Sequence, residues 1–187
     1  MKRLVPILSF LLLAGVLRAQ DVRLPEQPDN RYVYYSGLES GWWMAVEPGF
    51  TVGSVNSSTL LTARASLVTG YRFSQYLRVG VGVAPAFCFA HEAIDNGTLL
   101  MPVFAHLRGN FIEDQTRMFS PFWGFDAGYG IGDGLYLSPA IGLRAGLHRH
   151  SFVFSLGYMF QQLDGSLPKG MKSDDYHAFL LKLGYEF

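Results

Sequence analysis

Beyond residue 40, apolar and polar positions alternate with a period of two along most of the chain. The alternation is cleanest in the last nine residues. Phe179, Leu181, Leu183, Tyr185 and Phe187 form one set, and Leu180, Lys182, Gly184 and Glu186 the other. Successive side chains of a strand point to opposite faces, so the first set makes a wholly apolar face. Seven earlier segments repeat the pattern, at 41–53, 59–73, 77–89, 100–111, 120–131, 135–147 and 152–161. In each, large apolar residues face one way, and Gly, Ala, Ser, Thr and scattered charges face the other.

That distribution suits a sheet with lipid outside and a closely packed interior. Segments of about ten residues match a tilted strand crossing a bilayer. Eight is the smallest even count in such barrels, and an even count returns both ends of the chain to one side. The pattern predicts an all-β fold over residues 41–187, an eight-stranded antiparallel up-and-down transmembrane β-barrel. Links at 54–58, 90–98, 132–134 and 162–175 then face the cell exterior. Those at 74–76, 112–119 and 148–151 face the periplasm. Outward Trp42, Phe73, Phe111, Trp123, Phe152, Tyr185 and Phe187 fall at the periplasmic end. Phe50, Phe87, Phe89, Tyr129, Phe160 and Phe179 fall at the other. Two aromatic girdles around an aliphatic band are expected of a lipid-facing barrel.

The N-terminus adds an address. Lys2 and Arg3 precede an apolar run from Leu4 to Leu17, which ends at Ala19. This reads as a secretory signal peptide over residues 1–19, too short for a spanning helix. Residues 20–40, with Pro25 and Pro28, read as an extended periplasmic segment. Without Lys2, Arg3 and Arg18, the fifteen basic residues become twelve against fifteen acids, a net charge of −3. Such a balance argues against a nucleic-acid surface. The single Cys88 excludes an intrachain disulfide. Its inward position next to Phe87 and Phe89 reads as packing.

The strings GYRFSQYLRVGVGV, MPVFAHLRGNF, SPFWGFDAGYG, GLYLSPAIGLRAGL and FLLKLGYEF resemble small outer-membrane β-barrel proteins of the Bacteroidetes type, with an architecture similar to OmpA/OmpX barrels. The resemblance covers about residues 41–187 and implies location and architecture, with no activity attached. A terminal aromatic on the last strand resembles the signal by which the barrel-assembly machinery recognises its substrates. On this chain that signal would be Phe179, Leu181, Leu183, Tyr185 and Phe187. The expected surroundings are outer-membrane lipid, and the expected state is a monomer.

The inward face collects Glu47, Arg64, Arg72, Arg78, His106, Arg108, Asp126, Arg144, Lys182 and Glu186. An eight-stranded barrel has an interior just wide enough for side chains to fill, and buried charges need partners. The expectation is a salt-bridge network that plugs the lumen, with a structural or surface-interaction role. The alternative is a narrow polar channel biased towards anions by six cations against three acids. A less favoured alternative is a surface enzyme, using His91, Glu92, Asp174, Asp175 and His177 at the outer rim or His150–Ser151 at the other end. Acid–base catalysis needs such groups within hydrogen-bond reach of each other, so no enzyme is expected. His148 and His150 lack a third ligand, and zinc needs three or four. No metal or cofactor is expected. GVG and GYGIGDG lack the Lys of a phosphate loop. The inward glycines are expected to make room for long Arg side chains.

Overall fold

A computed structural model describes residues 40–55, 58–74, 76–89, 98–112, 119–147, 150–164 and 174–187. All of them lie in one unit, Tyr35–Phe187. The expected signal peptide falls outside the described residues, as does the 20–40 segment except for Ser40. So do His91, Glu92 and His148.

Period-two alternation becomes ten strand runs. They are β1 (Gly41–Val55), β2 (Ser58–Ser74), β3 (Leu77–Val83), β4 (Ala86–Cys88), β5 (Leu99–Leu100), β6 (Pro102–Asn110), β7 (Phe119–Gly130), β8 (Leu135–Leu147), β9 (His150–Leu163) and β10 (Asp174–Glu186). β3 and β4 are one crossing broken at Ala84 and Pro85, and β5 and β6 are another broken at Met101. Both breaks sit beside a proline, which has no N–H to give to a ladder. The wall continues through them. Ala84 N donates to Pro102 O and Ala65 N to Pro85 O, each at 3.1 Å. Every pairing is antiparallel, and β1 pairs with both β2 and β10. The result is a closed antiparallel barrel of eight crossings.

The faces follow the sequence reading. Trp42, Phe50, Val81, Ile141, Phe152, Phe179 and Leu183 are exposed, while Glu47, Arg64, Arg78, His106, Arg108, Asp126 and Glu186 are buried. Trp42 and Phe179 are 74% and 77% exposed, part of an apolar belt far larger than a water-facing surface carries. No described helix is long and apolar enough to cross a membrane; the strands do so instead. At the end carrying Gly41 and Phe187 (here the terminal end), Trp42, Tyr71 and Phe73 make edge contacts. Nearby, Phe152 meets Tyr185 edge-on and Tyr185 packs on Phe187 at a tilt. At the opposite end Phe87 meets Phe89, and Tyr158 meets Phe179. Trp123 is less exposed than its neighbours in the girdle. It folds over Gly109, its cross-strand partner, where an added Cβ would meet the indole at 2.8 Å. An aromatic covering a strand glycine in this way protects exposed backbone.

Two boundaries differ from expectation. β9 extends to Leu163, and β10 begins at Asp174, well before Phe179. The connection expected over 162–175 is therefore shorter. The cause is an inner face that turns apolar here. Met159, Leu163, Tyr176, Ala178 and Leu180 are all buried, so both faces are hydrophobic and the alternation is hidden. The opposite change occurs between β7 and β8, where Ile131 to Gly134 form a real tight turn. Gly132 takes φ +86, a conformation favouring glycine. Asp133 N donates to Gly130 O at 3.1 Å and Gly130 N to Gly134 O at 2.9 Å.

The inward glycines do more than the expected single job. Gly82 lies beneath the Phe104 ring, and Gly142 beneath Phe122. A Cβ at either would meet ring atoms at 2.7 and 2.5 Å respectively. Gly49 and Gly184 instead make room for the stems of Lys182 and Glu47. Space is left mainly for aromatic rings and for the Lys–Glu pair, and the expectation of room for arginines is corrected accordingly.

Candidate functional site

The interior divides into two levels. Towards the terminal end it is ionic. Glu186, from the last strand, accepts a hydrogen bond from Arg78 Nη1 at 2.7 Å and is ion-paired with Arg144, whose Nε lies 3.0 Å away. Arg108 bridges Glu186 and Glu47 through its two terminal nitrogens. Glu47 is also ion-paired with Lys182, whose Nζ lies 3.0 Å from it and 3.6 Å from Asp126. His106 Nδ1 bonds Asp126. β6 lies across the ring from β1 and β10, so the Arg108 bonds span the lumen. Alternation dictates the placement. Each of these side chains sits an even number of residues from a small inward neighbour on its own strand.

Aromatic rings hold the cations from the other side. The Arg108 guanidinium lies 4.7 Å from the Phe122 centroid and 5.6 Å from that of Trp43. Arg78 is 5.9 Å from the Trp43 ring, and the His106 ring is 5.6 Å from it. Such contacts stabilise a desolvated cation. Trp43, Phe104 and Phe122 escaped the sequence reading. Strict alternation from Ala45, His106 and Gly124 was the available signal for them.

Towards the opposite end the interior is mostly apolar. Val55, Leu60, Ala84, Cys88, Leu100, Phe104, Met159 and Leu163 belong to the buried cluster there. The inward charges therefore gather mainly at the other level. Several of the few polar groups at the apolar level bond one another. Thr51 Oγ1 bonds Thr62 Oγ1, and lies 3.0 Å from the Tyr176 hydroxyl. Arg64 reaches across the barrel from β2, donating to Met159 Sδ at 2.7 Å and the Tyr136 hydroxyl at 2.8 Å. Arg64 was expected in the ionic network and instead caps the apolar level, its guanidinium 5.4 Å from the Tyr136 centroid. Arg72 is buried on the expected face. Asp133 is a further buried acid, at the turn after β7, that sequence reading missed.

Of the groups considered for catalysis, the described histidines lie on the outer wall. His177 sits on the outer wall, with Nδ1 2.6 Å from the Tyr158 hydroxyl and its ring against Phe160. His150 also lies outside, 3.2 Å from the Tyr185 hydroxyl, while Ser151 faces inward and is buried. Among the described residues, no three His, Cys, Asp or Glu side chains gather as a metal site. Cys88 is a free, buried thiol.

The first and last strands close the ring with an interruption. Register passes from Val46–Tyr185 to Gly49–Lys182 and skips Glu47 and Pro48. Pro48 has no N–H for β10. On the terminal side of this gap the seam holds Ala45–Glu186 and Val46–Tyr185. Beyond them, Met44 N donates to Phe187 O at 2.9 Å and Phe187 N to Met44 O at 3.0 Å.

No family model and no curated protein matches the chain. Solved structures do. The chain is similar to Neisserial surface protein A (NspA), with a TM-score of 0.61 at 12% identity, covering 79% of this chain and 97% of that one. It also matches the outer membrane protein OprG from Pseudomonas aeruginosa, with a TM-score of 0.44 at 12% identity, covering 80% of this chain and 97% of that one. The fold shared with NspA is that of an eight-stranded antiparallel barrel.

Proposed function

We propose that this chain is an integral outer-membrane protein whose lumen is plugged by its own side chains. Its role is structural or one of surface interaction, without catalysis, cofactor or metal. Residues 1–19 act as the export signal, and both ends of the barrel chain face the periplasm. The two longest connections, at 89–98 and 164–173, lie on the side away from the terminal end and support that orientation, because bacterial barrels carry their longer loops outside. The structural neighbour named as a surface protein supports the location.

One observation carries the plugged reading. Glu47 and Glu186 draw Arg78, Arg108, Arg144 and Lys182 together across the lumen. Removing one member of such a buried set exposes the others to an unpaired state, so the set resists opening. Purified protein in a planar bilayer is expected to stay electrically silent. Steady, size-selective conductance would overturn the plug.

A narrow conduit biased towards anions is the second reading. It is favoured by Arg64, which meets a thioether and a phenol rather than an acid. The same recording separates the two, since a conduit of this kind passes anions in preference to cations.

A further inference from the structure

The outer wall carries a groove of about 720 Å³ at the terminal end. Its direction follows from the register. One bank is the row Phe119, Ala145, Phe152, Tyr185 and Val46, each the cross-strand neighbour of the next. The other bank is the row Leu143, Phe154, Leu183 and Pro48, two residues further along each strand. The groove therefore runs across the strands, with Ala145 and Pro48 as low points. It lies over the seam where β1 and β10 skip their pairing.

Its dimensions are set by sheet geometry. Crossing four strand spacings of about 4.8 Å gives a length of about 19 Å. Rows two residues apart are about 7 Å from one another. A trough of that shape admits one extended hydrocarbon chain and is too narrow for a folded partner. The wall lies in lipid, where half a hydrocarbon core of about 30 Å thickness is about 15 Å deep. Strands tilted by about 45° incline the trough equally to the bilayer normal, so it covers about 13 Å of that depth, within the reach of one acyl chain of a single leaflet.

One margin is polar. Tyr185 borders the groove, and its hydroxyl is 3.2 Å from Nδ1 of the exposed His150. The other imidazole nitrogen is left for a ligand at the membrane interface. An aromatic group with a polar tip suits the headgroup level. With the Tyr185 hydroxyl donating to Nδ1, the Nε2–H of His150 is the donor to a phosphate oxygen.

We infer that this groove is a phospholipid site. It takes one acyl chain of the leaflet at the terminal end and places the lipid phosphate against His150 and Tyr185. The site is separate from the lumen and does not depend on whether the lumen conducts.

Native mass spectrometry of the folded barrel in detergent, titrated with phosphatidylglycerol and separately with diacylglycerol, tests the assignment. The unaltered protein is expected to retain one phosphatidylglycerol and to bind diacylglycerol more weakly. Ala145→Phe fills the trough from an outward position and is expected to weaken phosphatidylglycerol binding about tenfold or more. His150→Ala leaves the trough intact and is expected to remove the preference for the phosphate-bearing lipid. Heat-dependent gel mobility confirms that each variant is folded. Unchanged binding by Ala145→Phe would overturn the site. Equal binding of both lipids by the unaltered protein would overturn the headgroup assignment. A dimer dissociated by Ala145→Phe would give the groove to a second copy and overturn the lipid.

Discussion

Replacing Glu186 with Gln is expected to be the most damaging single change inside the barrel. The carboxylate faces Arg78, Arg108 and Arg144, which come from three different crossings. Glutamine keeps the size and removes the charge, so three buried guanidiniums lose their shared counter-ion. Breaking a buried pair costs about 3–5 kcal/mol. The loss falls at a weak place, because the seam beside Glu186 has few backbone pairs on the terminal side of the Pro48 gap. A urea titration of protein folded into lipid vesicles should show a clear drop in midpoint for Glu186→Gln. Asp175→Asn, at the exposed start of β10, should leave it unchanged. An unaltered midpoint for Glu186→Gln would show that the ionic level does not hold the barrel closed.

Deleting Phe187 is expected to have a comparable effect by another route. Its backbone gives and accepts the bonds to Met44 that finish the seam. Each such bond is worth about 0.5–1.5 kcal/mol net in water, and lipid offers no substitute partner. Its ring also packs on Tyr185 in the terminal girdle. We propose further that the apolar face Phe179, Leu181, Leu183, Tyr185 and Phe187 is what the assembly machinery reads. The deletion should then reduce the amount of folded barrel recovered from the outer membrane to a minor fraction. Heat-dependent mobility on a gel measures that fraction directly. Normal recovery would argue against both roles of Phe187.

The two changes point to one design. Pro48 leaves the closing seam short of hydrogen bonds, and the ionic level compensates from inside. Glu186 ties the last strand to β3, β6 and β8, while Lys182 and Glu47 tie β10 to β1 just where their backbones skip. The network thus stabilises closure as well as filling space.

Much of this was legible in the alternation. The eight crossings, their facing, and the inward position of all ten candidate charged residues follow from period two, because one register slip would turn every apolar side chain into the lumen. The ends of β9 and β10 were not legible. There Tyr176, Ala178 and Leu180 oppose Phe179 and Leu181, and a strand apolar on both faces carries no alternation. The partners of the charges were also beyond reach. Arg64 and Arg78 look alike in sequence, yet one reaches Tyr136 and Met159 while the other meets Glu186. Height along the barrel decides between them. That height depends on strand stagger, which a single sequence does not display. Trp43, Phe104 and Phe122 were lost to the habit of reading aromatics as lipid-facing.

The apolar face of this barrel is suited to lipid and not to water. The most direct test of that is the state of the chain from residue 20 onward, purified with and without detergent or lipid. Protein that is folded and heat-modifiable only in detergent micelles or vesicles, and that aggregates in plain buffer, is the expected result. A folded monomer that stays soluble in plain buffer would contradict it, because the exposed belt from Trp42 to Leu183 would then have to face water.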